Sequence, residues 1–188
     1  IFRSLFLSVL LASCVFGQQQ SRDVSKENAR SSQDWVRDAV IYQIWERAYS
    51  QKGDFNGITN DLDRLKNLGV DVLWLMPIHP IGQVKKKGTI GSPYAVRDYY
   101  GINPDYGTSA DLKRLISEAH KRGLKVIIDV VINHSSWDND LLKQHPEYYK
   151  KNDKGEIIPP VPDWADVAGF DYSNPGLRRY MIDMLKSW

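Results

Sequence analysis

The sequence predicts an α/β fold built on a parallel sheet. The first observation is alternation: short runs of Val, Ile and Leu are followed, three times over, by segments whose apolar residues recur at helical spacing. The second is lopsided connections. Strand-to-helix links run to about a dozen, about thirty and about forty residues, whereas helix-to-strand links take only a residue or two. An open doubly wound sheet and a (β/α)8 barrel both satisfy the alternation. In a barrel the long links gather at the C-terminal strand ends, where active sites are built.

The first strand is "AVIYQIW", residues 39–45. Its helix is expected over 57–68, where Ile58, Leu62, Leu65 and Leu68 form the stripe and Gly69 the stop. The second strand is "VDVLWLM", 70–76, and its helix is expected over 109–122. Thr108 and Asp111 have capping-box spacing there, Leu112, Leu115, Ile116 and Ala119 make the stripe, and Gly123 ends it. The third strand lies in 126–136, "VIIDVVINHSS", and its helix over 175–187. Asn174 suits the cap of that helix and Pro175 its first turn; Leu177, Tyr180, Met181, Met184, Leu185 and Trp188 share one face. The third link, 134–173, is too long for a structureless loop and reads as a small subdomain.

A carboxylate inside the third strand is the oddest feature of the chain. Strict alternation puts Asp129, Val131 and Asn133 on one face and Val130, Ile132 and His134 on the other. Asn133 and His134 then stand at the C-terminal strand end, and Asp129 lies deeper. A buried carboxylate requires a cation or several donors. The neighbouring sequence offers none, so the partner is expected from elsewhere in the fold.

Bulk composition excludes some functions. A net charge of +2 over 188 residues gives no basis for nucleic-acid or acidic-membrane binding. The one cationic cluster, Lys85-Lys86-Lys87, reads as a solvated loop. No glycine-rich phosphate loop follows the first strand, which argues against a nucleotide-binding doubly wound domain. Residues 1–17, "IFRSLFLSVLLASCVFG", read as a secretory signal: Arg3 opens it and an apolar stretch too short for a membrane anchor follows. Cleavage before Gln18 implies a secreted or periplasmic protein. The alternative is a lipoprotein anchored through Cys14, the one cysteine of the chain. Residues 18–36 are polar and read as a disordered leader.

Five segments, in order, resemble the α-amylase family of glycoside hydrolases: "VIYQIWERAYS" (40–50), "GDFNGI" (53–58), "LKNLGVDVLWLMPI" (65–78), "SPYAVRDYYGINPDYGT" (92–108) and "DVVINH" (129–134). The resemblance covers residues 37–188. It implies the N-terminal part of a (β/α)8 barrel, strands one to three, with a domain B insertion over 135–173. It implies a retaining hydrolase of α-glucans such as starch or maltodextrins, in which a carboxylate attacks the anomeric carbon and a carboxylic acid protonates the leaving oxygen. Carried over by position, Tyr94 stacks on the sugar at the cleavage point and His134 hydrogen-bonds the same sugar. Asp129 supports the site by pairing with an arginine, Asp98 is structural, and Asn133 either binds calcium, the one cofactor implied, or bonds to local backbone.

The match has departures. Pro93-Tyr94-Ala95 stands where the family often has Gly-Tyr-Asp, and Ala168-Gly169-Phe170-Asp171 where it often has Pro-Asp-Leu-Asn. Oxygen ligands from Asp163, Asp166 or Asp171 compete with a solvated acidic loop as the reading of "PDWADVAGFD". The family's nucleophile, acid/base and third carboxylate follow later strands, and three strand–helix units cannot close a barrel. The expectation is therefore a fragment without catalytic residues, with uncovered sheet edges and helix faces. Asp54, Asp105 and Glu147 are not promoted to the missing roles. A non-catalytic glucan-binding protein and a transglycosylase or isomerase of the same family remain alternatives.

Overall fold

The computed structural model of the chain describes residues 24–28 and 30–188. The signal segment 1–17, Cys14 and the start of the leader lie outside the described residues. The rest of the leader carries a 3-10 turn at Val24–Lys26 and a short helix α1, Asp34–Arg37.

Three parallel strands form one sheet in the order β1 (Ile41–Ile44), β2 (Val72–Leu75), β3 (Lys125–Ile128). The register is regular, with Tyr42 opposite Leu73 and Leu73 opposite Val126. Sequential neighbours running the same way, each crossing over through helices, are what a barrel wall requires. Strand β2 is paired on both sides, and its Val72, Leu73 and Leu75 are buried. The outer strands are less covered, as expected: Ile41 is 55% and Ile127 43% exposed.

The first crossover departs from the expected single helix. A turn, α2 (Glu46–Tyr49), precedes α3 (Phe55–Thr59) and α4 (Leu62–Asn67). The break at Asn60-Asp61 has local causes. The Thr59 hydroxyl bonds back to the Phe55 carbonyl at 2.8 Å. The Asp61 carboxylate is held by Tyr49 and by Arg64 at 2.5 Å. Ile58, Leu62 and Leu65 remain buried across the break, but Leu68 turns outward. Asp54 caps α3 by accepting from Gly57 N at 2.8 Å. Helix α5, Ser109–Lys121, has the full capping box of Thr108 and Asp111, and it buries Leu112, Leu115 and Ala119.

The third strand is shorter than the apolar run suggests. Pairing stops at Ile128 with the bond from Asp129 N to Leu75 O. Residues 129–133 then lead into a separate strand, β4 (His134–Ser136). Strict alternation fails here: Val131 and His134 are buried while Ile132 and Asn133 are exposed. Strand β4 pairs antiparallel with β5 (Val167–Gly169), His134 opposite Gly169. Between them lie α6 (Leu141–Gln144) and a 3-10 turn at Pro146–Tyr148. The long link therefore has its own two-stranded sheet. Gly169 sits against the backbone of Pro160, where a Cβ would come within 2.9 Å of Pro160 N. Helix α7, Pro175–Ser187, is capped by Asn174 and buries Leu177, Met181 and Met184.

Two cores result. One joins the sheet to α3, α4 and α5 through Leu73, Leu75, Ile58, Leu65 and Leu115. The other joins the β4–β5 excursion to α7 and the 94–99 loop through Tyr99, Tyr149, Phe170, Leu177 and Met181. No helix among the described residues is long and apolar enough to cross a membrane.

Candidate functional site

The loop after β2 is fixed by short backbone bonds. Gly82 N donates to Ala95 O at 2.8 Å, Arg97 N to Pro80 O at 2.8 Å, and Ser136 N to Val96 O at 2.9 Å. The last bond ties β4 to the loop bearing Tyr94. Gly82 permits this approach, since a Cβ there would lie 2.2 Å from Ser136 Cβ. The phenol of Tyr99, fully buried, donates to the His134 carbonyl at 2.6 Å. Ser135 and Tyr149 hydroxyls bond at 2.8 Å beneath it.

These anchors bring the expected residues together. The His134 ring lies 3.2 Å from the Tyr94 carbonyl through Nε2 and 3.2 Å from the Asn133 side-chain nitrogen through Nδ1. A carbonyl only accepts, so Nε2 carries the proton and Nδ1 accepts from Asn133. Burial pushes the imidazole pKa down, partly opposed by the Tyr94 carbonyl and the nearby Asp166, and the ring is neutral at neutral pH. Tyr94 is half-buried and donates through its hydroxyl to Asp129 Oδ2 at 3.0 Å. Burial first, then that bond to the carboxylate, raises the phenol pKa. Within the described residues the Asp129 carboxylate thus meets a tyrosine hydroxyl; the expected arginine belongs to a later strand. Tyr94, Asp129, His134 and Asn133 form one connected set.

Asp98 stands apart. It is exposed, and its carboxylate accepts from Tyr100 N at 2.9 Å, turning the chain after Tyr99. The three excluded carboxylates are also in local contacts: Asp54 caps α3, Asp105 meets Arg47 at 2.5 Å, and Glu147 meets His145 at 3.0 Å. Among the described residues no group of three or more His, Cys, Asp or Glu is placed to hold a metal. Asp171 instead accepts from Ser173 N at 3.0 Å, and Asp166 faces Lys87.

Tyr94 and His134 line a cavity of about 480 Å³ together with Ser92, Lys87, Trp164 and Asp166. Sequence reasoning missed Lys87 and Trp164. Lys87 is exposed, as a solvated loop requires, and its ammonium also donates to Asp163 O at 2.9 Å and lies 3.3 Å from Asp166 Oδ1. Trp164 meets His134 edge-on, with ring centroids 5.5 Å apart. The only sequence signal was a large aromatic set in an acidic, proline-bearing loop. A concave site with aromatic walls, a neutral imidazole and a few fixed polar groups suits a neutral polyhydroxylated ligand.

The comparisons agree with this geometry. Residues 20–160 match the model of the α-amylase catalytic domain. The chain is 45% identical over 115 residues to trehalose-6-phosphate hydrolase of Bacillus subtilis, covering 58% of this chain and 19% of that protein. It is 29% identical over 184 residues to α-amylase 3 of Dictyoglomus thermophilum, covering 84% of this chain and 35% of that protein. Among solved structures, an α-amylase from Lactobacillus plantarum superposes with a TM-score of 0.80 at 49% identity, over 83% of this chain and 37% of that chain. A maltogenic α-amylase from Thermotoga neapolitana gives 0.75 at 45% identity, over 80% of this chain and 36% of that chain. The chain spans between 19% and 36% of the length of these curated relatives and others. The chain belongs to the α-amylase family and carries part of its (β/α)8 catalytic domain.

Proposed function

We propose that this chain supplies the sugar-gripping part of a secreted, retaining α-glucan hydrolase. The observation that carries the reading is the linked set Tyr94–Asp129 and His134–Tyr94 on the wall of one cavity. The flat Tyr94 ring, braced by its hydroxyl, faces a pyranose. The neutral His134 ring, its two nitrogens held by the Tyr94 carbonyl and Asn133, walls the pyranose site without placing a charge beside the developing oxocarbenium ion. None of Asp54, Asp105 or Glu147 lines this cavity. The nucleophile and the acid are therefore assigned to the two thirds of the relatives' length that this chain does not span. Export through residues 1–17 belongs to the same proposal.

The test uses the full-length polypeptide that carries this segment. Reducing-sugar release is followed on maltotetraose, starch, isomaltose and trehalose 6-phosphate. Hydrolysis of α-glucans with retention supports the reading, and Tyr94→Phe and His134→Ala should each lower kcat/KM by at least about tenfold. Binding of maltotetraose without cleavage would favour a non-catalytic glucan-binding protein. Products larger than the substrate would favour glycosyl transfer.

A further inference from the structure

One wall of the cavity is unused by the grip of Tyr94 and His134. The Trp164 indole lines the cavity yet is 46% exposed. Its plane stands at 75° to the imidazole of His134, so the two rings do not stack face to face. The loop beneath it is held from three sides. Trp164 N donates to Val161 O at 3.1 Å and Val167 N to Trp164 O at 3.2 Å. The Trp137 indole donates to Ala165 O at 2.9 Å. Lys87 reaches across from the other loop and takes both Asp163 O and the Asp166 carboxylate. These two acidic residues flank Trp164 and Ala165, so one ammonium holds the segment on either side of the indole. Asp166 is buried while the Lys87 side chain stays 58% exposed, so the ion pair fixes the segment's position more than it adds stability. The Lys85 ammonium over the Trp137 ring, 3.8 Å from its centroid, adds a second tie between the same two loops.

We propose that Trp164 is a stacking platform for a second glucose unit of the bound α-glucan, and that Lys87 is the positioning residue that holds it at the cavity. The inference rests on the α-glucan reading above. A broad, flat apolar surface beside a site for one pyranose is suited to the C–H face of the next. Lys87 touches no sugar in this scheme; it sets the loop that presents the ring.

The experiment compares wild type with Trp164→Ala, Trp164→Tyr, Lys87→Met and Lys87→Arg in the full-length polypeptide. The probes are maltose and maltotetraose, followed by steady-state kinetics and tryptophan fluorescence. Trp164→Ala is expected to raise KM for maltotetraose about tenfold, with the loss falling on KM more than on kcat, and to abolish most of the sugar-induced change in emission. Trp164→Tyr should recover most of the affinity. Lys87→Met should reproduce the KM effect and Lys87→Arg should rescue it, which a general loss of folding would not do. A wild type active on maltotetraose whose KM is unmoved in Trp164→Ala overturns this inference alone. A wild type that neither binds nor cleaves maltotetraose overturns the α-glucan reading and this one with it.

Discussion

The two cores of the chain are made differently. The first is mostly aliphatic and regular: β2 and helices α3 to α5 meet through Leu73, Leu75, Ile58, Leu62 and Leu115. The second is aromatic and irregular, with Tyr99, Tyr149 and Phe170 packed against Met181 and Met184 of α7. Its tyrosines carry hydroxyls that reach β4, one to the His134 carbonyl and one to Ser135. The first core holds a scaffold. The second combines burial with directed hydrogen bonds, and so places a side chain as well as a layer. Truncation should separate the two. Leu73→Ala is expected to cost about 2–5 kcal/mol and Phe170→Ala about 3–5 kcal/mol in urea unfolding of the full-length polypeptide. Only Phe170→Ala should also weaken maltotetraose binding under conditions where the protein is folded. Equal binding losses in both variants would erase the distinction.

The cores also differ in the sign of their pH dependence. Glu46, beside Tyr106 of the first core, is fully buried with neither carboxylate oxygen hydrogen-bonded. Burial pushes its pKa up to about 8 from 4.5. The folded chain keeps the proton that the unfolded chain loses. Stability from this group is therefore full below pH 4.5 and is lost as pH rises through about 8. His134 works the other way. Its pKa is depressed from 6.5, so its contribution is present above pH 6.5 and is lost as pH falls through the depressed value. His79, buried against Tyr99 and Trp188, shifts in the same direction as His134. Glu46→Gln should flatten the alkaline limb of the stability profile and raise the melting temperature at pH 8. Replacing both histidines should flatten the acidic limb only in the range just below pH 6.5; a further loss at lower pH remains, because Arg64 holds the Asp61 carboxyl and Thr108 the Asp111 carboxyl below their ordinary values. A melting temperature at pH 8 that does not change in Glu46→Gln would remove the carboxyl from the account.

A pair of tyrosines sharpens the contrast at one oxygen atom. Tyr99 and Tyr106 are both fully buried. The Tyr99 hydroxyl bonds the His134 carbonyl at 2.6 Å, whereas that of Tyr106 lies near Trp45 and Arg47 without reaching hydrogen-bond geometry with either. Tyr99→Phe strands a buried carbonyl and should cost about 1–3 kcal/mol, with weaker sugar binding. Tyr106→Phe strands nothing and should lie within about 0.5 kcal/mol of wild type. Matching losses in urea unfolding would mean that hydroxyl burial, not the bond to β4, decides both.

The same division explains what could be read from the sequence. Periodicity located all three strands of the sheet, the stripe of α5, the Leu177, Met181 and Met184 part of the α7 stripe and both caps, because regular elements bury residues at fixed intervals; Leu185 and Trp188, expected on the same face of α7, are exposed. It missed the break at Asn60-Asp61, where Thr59 and Asp61 bond locally, and the end of β3 at Ile128, where an unbroken apolar run conceals a change of partner. Within the site, Tyr94, Asp129, Asn133 and His134 were recognised by resemblance, and the structure joins all four. Lys87 and Trp164 were not, because their meaning depends on two loops 76 and more positions apart meeting across a cavity. No local pattern records that meeting.

A loss confined to stability is expected at the cap of α5, inside the legible half. Thr108 Oγ1 accepts from Asp111 N at 3.2 Å, while the Asp111 carboxylate accepts from Thr108 N at 2.9 Å. Thr108→Ala should cost about 1 kcal/mol, since it leaves one donor of the first turn to solvent. The helix packs on the sheet through the first core, and no residue of α5 lines the cavity of Tyr94 and His134. The loss should therefore appear in the urea midpoint and leave maltotetraose affinity untouched. A measurable affinity change in Thr108→Ala would mean that the scaffold core transmits strain to the site, and that the two cores respond as one body.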